Sequence, residues 1–206
     1  MEIYSTEEQQ VDAIKQFWKD YGTSILVGAV VGLGGLYAWN TYSDMQVSEA
    51  QAASQAFQAA SSKLGDDAAL AGAVANFSKE HSQKGYQAML DLIVAKSAVD
   101  AGDLTKAEAA LTKVIASKPG AGLDMVATIR LARVQAEQGQ VGTALATLEQ
   151  VTDSAFASQR DELKGDFLVR QGELDKAKLA YQAALDNGGV TTSPALKMKL
   201  DNLNQA

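Results

Sequence analysis

The segment GDLTKA, residues 102–107, recurs without gaps as GQVGTA at residues 139–144 and as GELDKA at residues 172–177. The three closing alanines lie 37 and then 33 residues apart. In each copy the glycine can adopt the left-handed conformation that ends one helix, and the residues after it can open the next. The sequence therefore predicts three successive helix–turn–helix units of similar length.

Each copy also has a small residue twelve positions before its alanine and a bulky residue four positions after it. The small residues are Ala95, Ala132 and Gly165, and the bulky ones are Leu111, Leu148 and Tyr181. A small side chain is needed where two helices cross closely, because a larger one would push them apart. The pattern resembles the tetratricopeptide repeat, a helix–turn–helix unit of about 34 residues. The resemblance covers roughly residues 85–189 and implies stacked helix pairs that form an α-solenoid.

Helical patterns continue on both sides of the three repeats. Residues 44–63 are predicted as a long Ala/Gln/Ser-rich helix, and a second helix runs from the turn at residues 65–67 to about Lys79. These two helices resemble a degenerate first repeat. At the other end, Ser193 and Pro194 are predicted as the N-cap and first residue of a closing helix. A repeat stack needs such a helix to cover its last apolar face.

An apolar stretch precedes the repeats, and residues 25–39 contain no charged or strongly polar side chain. A cleaved signal peptide is disfavoured, because the segment before this stretch is long and acidic. A buried helix of a soluble protein would show a polar face, and this stretch has none. Aromatic residues, which favour the membrane interface, lie near both ends: Tyr21, Tyr37, Trp39 and Tyr42. Since roughly 20 residues cross a bilayer, we predict a retained span over residues 23–42.

The expected fold is therefore all-α, with a single N-terminal transmembrane helix followed by a tetratricopeptide-repeat-like α-solenoid and a C-terminal capping helix. Lys15 and Lys19 precede the span closely, whereas the first cationic residue after it is Lys63. Because positively charged flanks remain in the cytoplasm, this asymmetry predicts a cytoplasmic N-terminus. The expected domains are a cytoplasmic segment at residues 1–22, the transmembrane helix at 23–42 and, in a bacterium, a periplasmic repeat domain at 43–206.

The predicted cytoplasmic segment has the pattern of a short amphipathic helix. Val11, Ile14, Phe17 and Trp18 recur at a spacing that places them on one face. Such a face can lie on the inner membrane surface or dock on a cytosolic partner. The residues alone leave both uses open.

The composition disfavours several kinds of chemistry. The chain has 206 residues, with 18 Lys and Arg against 25 Asp and Glu, one histidine and no cysteine. An acidic balance disfavours nucleic-acid binding, which needs a positive field. Without cysteine, thiolate metal sites and iron–sulfur clusters are excluded. With His81 as the single histidine, neither a multi-histidine metal site nor a convincing catalytic triad is available. We expect no cofactor, no metal and no enzymatic activity.

Protein binding is the class of function that remains. The first helices of stacked repeats line a concave face. By the repeat pattern, the exposed inner positions are expected at Met89, Leu92, Lys96, Val99, Val126, Ile129, Arg133, Glu162 and Asp166. Apolar residues flanked by Lys96 and Arg133 suit an extended or helical peptide segment. Each apolar member can instead pack in the core, since groove and core share one periodicity.

Four features together resemble the ancillary SecYEG translocon subunits of Gram-negative bacteria, the YfgM family, over essentially the full chain. They are the start MEIY, VDAIK at residues 11–15, the glycine-rich span and LARV at 131–134. The resemblance implies an inner-membrane protein that associates with the SecYEG channel and with PpiD, a membrane-anchored periplasmic chaperone. It also implies a role in handing over secreted polypeptides that emerge from the channel. The alternative hypothesis is a membrane-tethered regulatory adaptor that holds a cytosolic partner through the helix around Val11–Trp18.

Overall fold

A computed structural model describes residues 7–120 and 122–205, and within these ranges the chain forms helices and turns but no strand. The chain divides into two compact units between Gln51 and Ala52. The helices are α1 (Glu7–Ser61), α2 (Asp67–Glu80), α3 (Lys84–Asp100), α4 (Leu104–Ser117), α5 (Leu123–Glu137), α6 (Val141–Leu148), α7 (Ala157–Arg170), α8 (Leu174–Ala184), α9 (Val190–Thr192) and α10 (Ala195–Gln205). A 3₁₀ turn at Ser154–Phe156 precedes α7, and a π-type turn at Leu185–Gly189 precedes α9. The prediction of an all-α protein is confirmed.

The first unit consists of α1 up to Gln51. Among the described residues, α1 is the one helix that is long and apolar enough to cross a membrane by length and composition. Residues 44–61 continue the apolar stretch in this single helix, and the amphipathic segment, which was predicted as a short helix of its own, also belongs to it. The physical reason is the absence of a helix breaker, because neither proline of the chain lies before residue 119. The predicted cytoplasmic segment at residues 1–22 includes residues 1–6, which lie outside the described residues.

The second unit contains the predicted repeats as the helix pairs α3/α4, α5/α6 and α7/α8. The turn glycines Gly102, Gly139 and Gly172 have φ angles of +78°, +83° and +79°, which confirms the predicted left-handed conformation. One backbone hydrogen bond recurs across all three turns. It is donated by the residue after the glycine to a carbonyl five residues earlier: Asp103 to Ala98 at 2.8 Å, Gln140 to Gln135 at 2.9 Å and Glu173 to Leu168 at 2.9 Å. This is the bond that defines a Schellman ending, so the three pairs turn in the same way.

The predicted crossing positions are buried in all three pairs. Ala107, Ala144 and Ala177 have no exposed surface, and the bulky Leu111, Leu148 and Tyr181 are buried beside them. The small residues Ala95, Ala132 and Gly165 are also buried. Apart from Gly165, these residues belong to hydrophobic clusters that follow one another from pair to pair.

Both ends of the repeat stack are covered by further helices. The last turns of α1 pack with α2 and α3, where Phe57 stacks on Tyr86 at 5.2 Å between ring centroids. At the other end, Leu196 of α10 is fully buried with Tyr181 and Ala184, which confirms the predicted closing helix. Pro194 lies one position before α10 rather than as its first helical residue.

Candidate partner-binding groove

The nine predicted groove positions lie on the first helices of the three repeats. Met89, Leu92, Lys96 and Val99 are on α3, Val126, Ile129 and Arg133 on α5, and Glu162 and Asp166 on α7. Six of them line two cavities that share Arg133: Leu92, Lys96, Val99, Arg133, Glu162 and Asp166. The other three do not line either of these cavities. The structure therefore brings most of the predicted set together along one surface of the second unit.

The first cavity has a volume of about 380 Å³ and lies between α3, α4 and α5. Its walls are mainly apolar, with Ala95, Leu111 and Val134 contributed by the core beneath it. Val99 lines the same cavity and is 44% exposed, so apolar surface continues from the core to the solvent. Pockets that bind ligands combine such apolar walls with a few placed polar groups, and their volumes start at roughly 300 Å³.

Four charged side chains also line this first cavity: Lys96, Arg130, Arg133 and Glu137. Two of them are paired, because Lys96 binds Asp100 and Glu137 accepts a hydrogen bond from Arg170 at 2.8 Å. Within the described part of the chain, no carboxylate lies within 4.0 Å of Arg130 or Arg133. The cavity therefore has two unpaired guanidinium groups beside apolar walls.

The second cavity has a volume of about 530 Å³ and is more polar than the first. It lies along α7, with Phe156 and Ser158 at one end and Ser193 and Lys199 contributed by the C-terminal segment. Arg133 is the residue that lines both cavities. Arg133 therefore lies where the two cavities meet, with the mainly apolar first cavity on one side and the ionic network of the second cavity on the other.

Lys199 of α10 is the centre of that network. Its Nζ lies 2.9 Å from Glu162 Oε1 and 2.7 and 2.8 Å from the two carboxylate oxygens of Asp166. Ser193 donates a further bond to Glu162 Oε1 at 2.9 Å, and the Tyr181 hydroxyl donates to Asp166 Oδ1 at 2.8 Å. The two predicted binding carboxylates therefore have internal partners, and the C-terminal helix is anchored to α7 through them.

The pKa values in this network follow from its contacts. Burial alone would lower the pKa of Lys199, but its hydrogen bonds with Asp166 and Glu162 and the negative charges of these two groups together outweigh that effect and raise the pKa. Burial raises the pKa of Tyr181, and the hydrogen bond to Asp166 raises it further. Lys199 is thus held in its charged form and Tyr181 in its neutral form.

The prediction that Leu92 and Ile129 are exposed inner positions is wrong. Leu92 is 8% exposed and Ile129 is 2% exposed, and both belong to core clusters. The reason is that core and groove positions share the helical period, so an apolar residue turned slightly inward joins the core. Leu92 still forms part of the first cavity's wall, whereas Ile129 lines neither cavity.

Two groove residues were missed by the sequence analysis. Arg130 lies three positions before Arg133, and residues at that spacing share a helix face, so the spacing alone could have found it. Lys199 had no such local signal, because it is 33 residues from Asp166 and lies on a helix outside the repeat pattern. Among residues 7–120 and 122–205, no group of three or more His, Cys, Asp or Glu side chains is placed to hold a metal ion.

Comparison with known proteins places these features in one family. A family model described as a tetratricopeptide repeat-like domain matches residues 15–205. The ancillary SecYEG translocon subunit of Escherichia coli (strain K12) is 31% identical over 205 residues, which cover 99% of this chain and 100% of that protein. The subunit of the same name from Haemophilus influenzae is 31% identical over 96% of this chain and 97% of its own. That from Aggregatibacter actinomycetemcomitans is 33% identical over the same shares. The chain belongs to the tetratricopeptide repeat-like family that contains the ancillary SecYEG translocon subunits.

Proposed function

We propose that this protein is a non-enzymatic, protein-binding scaffold that is anchored in the bacterial inner membrane and associates with the SecYEG translocon. The observation that supports this most strongly is the end-to-end match with relatives that are named ancillary SecYEG translocon subunits. The matched region includes both the apolar part of α1 and the repeat helices. Such a scaffold needs two parts: a helix that can span the membrane and a repeat unit that can bind a partner.

The apolar part of α1 is suited to a membrane rather than to a protein core. Its large side chains, such as Leu26, Val30 and Leu36, are exposed in the first unit. In water this surface would favour aggregation, whereas in a bilayer it is solvated by lipid tails. We propose an N-terminus in the cytoplasm and residues 43–206 in the periplasm, because Lys15 and Lys19 lie on the N-terminal side of the span.

In this proposal the groove of the second unit is the partner site. The partners are the channel itself, the periplasmic chaperone PpiD and secreted polypeptides that emerge from the channel. The support is chemical: the first cavity offers exposed apolar surface next to cationic groups, a combination that suits a polypeptide segment.

The proposal is tested by crosslinking in living membranes with the full-length protein. A photoreactive residue replaces Val99 or Lys96, which lie on the first cavity, and Leu179 serves as a control because it is 72% exposed on α8 outside both cavities. Adducts with SecYEG, PpiD or a nascent secreted chain are expected at the groove positions and not at Leu179. Equal adducts at all three positions, or no co-purification of SecYEG from mild detergent extracts, would contradict the proposal.

The adaptor hypothesis has one specific observation in its favour. Ile14, Phe17 and Trp18, on the N-terminal part of α1, are 68%, 54% and 58% exposed. A variant with all three changed to serine keeps Lys15 and Lys19 and therefore the orientation signal. An adaptor would lose its cytosolic partner in this variant, whereas a periplasmic scaffold would still co-purify with SecYEG.

A further inference from the structure

We propose that the cavity between α3 and α5 selects a polypeptide segment in which large apolar residues stand next to acidic ones. This inference rests on the proposed function, since it assigns a substrate class to the same groove. Three features of the described residues lie side by side in this cavity and support the inference: an exposed apolar wall, two arginines with no carboxylate within 4.0 Å, and a wall carboxylate that already has another partner.

The expected preference for large apolar residues in the bound segment follows from the cavity walls. Leu92, Leu111 and Val134 form its base, and Val99 extends the wall to the solvent with 44% of its surface exposed. A volume of about 380 Å³ suits a few apolar side chains rather than a folded domain. Inserting such side chains removes their surface and that of Val99 from water, which supplies a favourable free energy of binding.

The expected preference for acidic residues in the bound segment follows from the charges around the same cavity. Arg130 and Arg133 line it with no carboxylate within 4.0 Å among the described residues, in a chain with a formal net charge of −7. Glu137, whose carboxylate is part of the cavity wall, already accepts a hydrogen bond from Arg170. Two free guanidinium groups can each take a carboxylate in paired hydrogen bonds, which gives both affinity and orientation.

The neighbouring cavity limits where such a segment can bind. There the carboxylates of Glu162 and Asp166 face Lys199, so that part of the groove offers a neutralised network rather than a cationic one. Acidic residues of the segment therefore pair with Arg130 and Arg133 rather than with the α7 end of the groove. Arg133, which lines both cavities, marks the boundary of the site.

The test uses the full-length protein in phosphatidylcholine nanodiscs and three fluorescent peptides. The first has the sequence Ser-Asp-Leu-Glu-Asp-Leu-Glu-Ser, the second replaces its acidic residues with lysine, and the third replaces its leucines with serine. We expect the first peptide to bind at least about tenfold more tightly than either of the others, with an affinity that falls as salt is added. Equal or tighter binding of the lysine peptide overturns the inference.

Two double variants distinguish the effect of the two arginines on peptide binding from the effect of the protein's net charge. R130Q/R133Q is expected to weaken binding of the first peptide at least about tenfold. K63Q/K197Q makes the same change in net charge at exposed lysines outside both cavities, and it is expected to change binding less than about twofold. Equal losses in the two double variants contradict the inference. If nanodiscs with phosphatidylglycerol displace the peptide through the same arginines, the site is a lipid site and the inference is wrong.

The outcomes for the inference and for the proposed function can be told apart. If no peptide binds but the full-length protein still co-purifies with SecYEG, the substrate class is wrong and the scaffold function stands. If the acidic peptide binds through Arg130 and Arg133 but SecYEG never co-purifies, the site is correct and the proposed association is wrong.

Discussion

Gly165 of α7 faces the ring of Tyr181 of α8 so closely that a Cβ on Gly165 would lie 2.3 Å from Tyr181 Cε1. The other two repeats have alanine with leucine at the corresponding positions, Ala95 with Leu111 and Ala132 with Leu148. At the helix crossing of the third repeat, a larger side chain, Tyr181, therefore packs against a smaller residue, Gly165. The Tyr181 hydroxyl then reaches Asp166, a bond that leucine could not make.

We expect Gly165→Ala to destabilise the protein by about 1–3 kcal/mol, because the added methyl group overpacks the helix crossing. Gly142→Ala is the matched control, since a Cβ there meets nothing within 4 Å and alanine favours the helix by up to about 1 kcal/mol. Chemical denaturation of the full chain in detergent, followed by circular dichroism, measures both. In G165A/Y181L the loss is expected to be smaller than the sum of the single losses, and additive losses would contradict direct packing.

The network around Lys199 predicts a loss of stability at high pH. The folded-state pKa values of Lys199 and Tyr181 are raised above the ordinary values of 10.5 and 10.0. The unfolded chain therefore releases these protons first, and the stabilisation is complete below about pH 10 and decreases as pH rises further. Denaturation between about pH 8 and pH 11 measures this decrease.

Tyr181→Phe shows how much of the loss of stability at high pH is due to Tyr181. This variant loses the hydrogen bond to Asp166 and is expected to be less stable at neutral pH by about 1 kcal/mol. Its stability should nevertheless decrease less steeply above pH 10 than that of the wild type, since the variant keeps Lys199 but lacks the titrating hydroxyl of Tyr181. An unchanged slope would mean that Tyr181 does not contribute to the pH dependence.

The start of α4 depends on a side-chain cap that the start of α6 lacks. Asp103 accepts a hydrogen bond from the backbone N–H of Lys106 at 2.9 Å, whereas Gln140 makes no such bond at the corresponding position. Asp103→Ala is therefore expected to destabilise the protein by about 1 kcal/mol. Gln140→Ala is expected to change the unfolding free energy by less than about 0.5 kcal/mol, and equal losses would contradict the role of the cap.

The proposed orientation can be measured directly because the chain contains no cysteine. A single cysteine at Ser62 is expected to react with a membrane-impermeant maleimide in cells whose outer membrane has been permeabilised. A single cysteine at Gln10 is expected to react only after lysis. Both positions are exposed, so access rather than burial decides the result. The reverse labelling pattern would place the repeat unit in the cytoplasm.

The repeat turns and crossing positions could be predicted because they are local and occur three times. Gly102, Gly139 and Gly172 each share their spacing with a small and a bulky residue, so the copies support one another. The contacts of Lys199 could not be predicted in this way, because they join α10 to α7 across 33 or more residues and occur once. Ile129 was misassigned because periodicity locates a face of a helix but not the depth of each residue within it.

The order in which the repeat helices contact one another has a consequence for folding. Most contacts in the second unit join helices that are neighbours in the sequence, such as α3 with α4, α4 with α5 and α7 with α8. Contacts of short sequence separation form quickly, so each helix pair can pack soon after its second helix is available. The exception is the last pair, since Tyr181 and Ala184 are covered only when Leu196 of α10 arrives. A chain that is synthesised from its N-terminus therefore keeps this apolar surface open until α10 has been made.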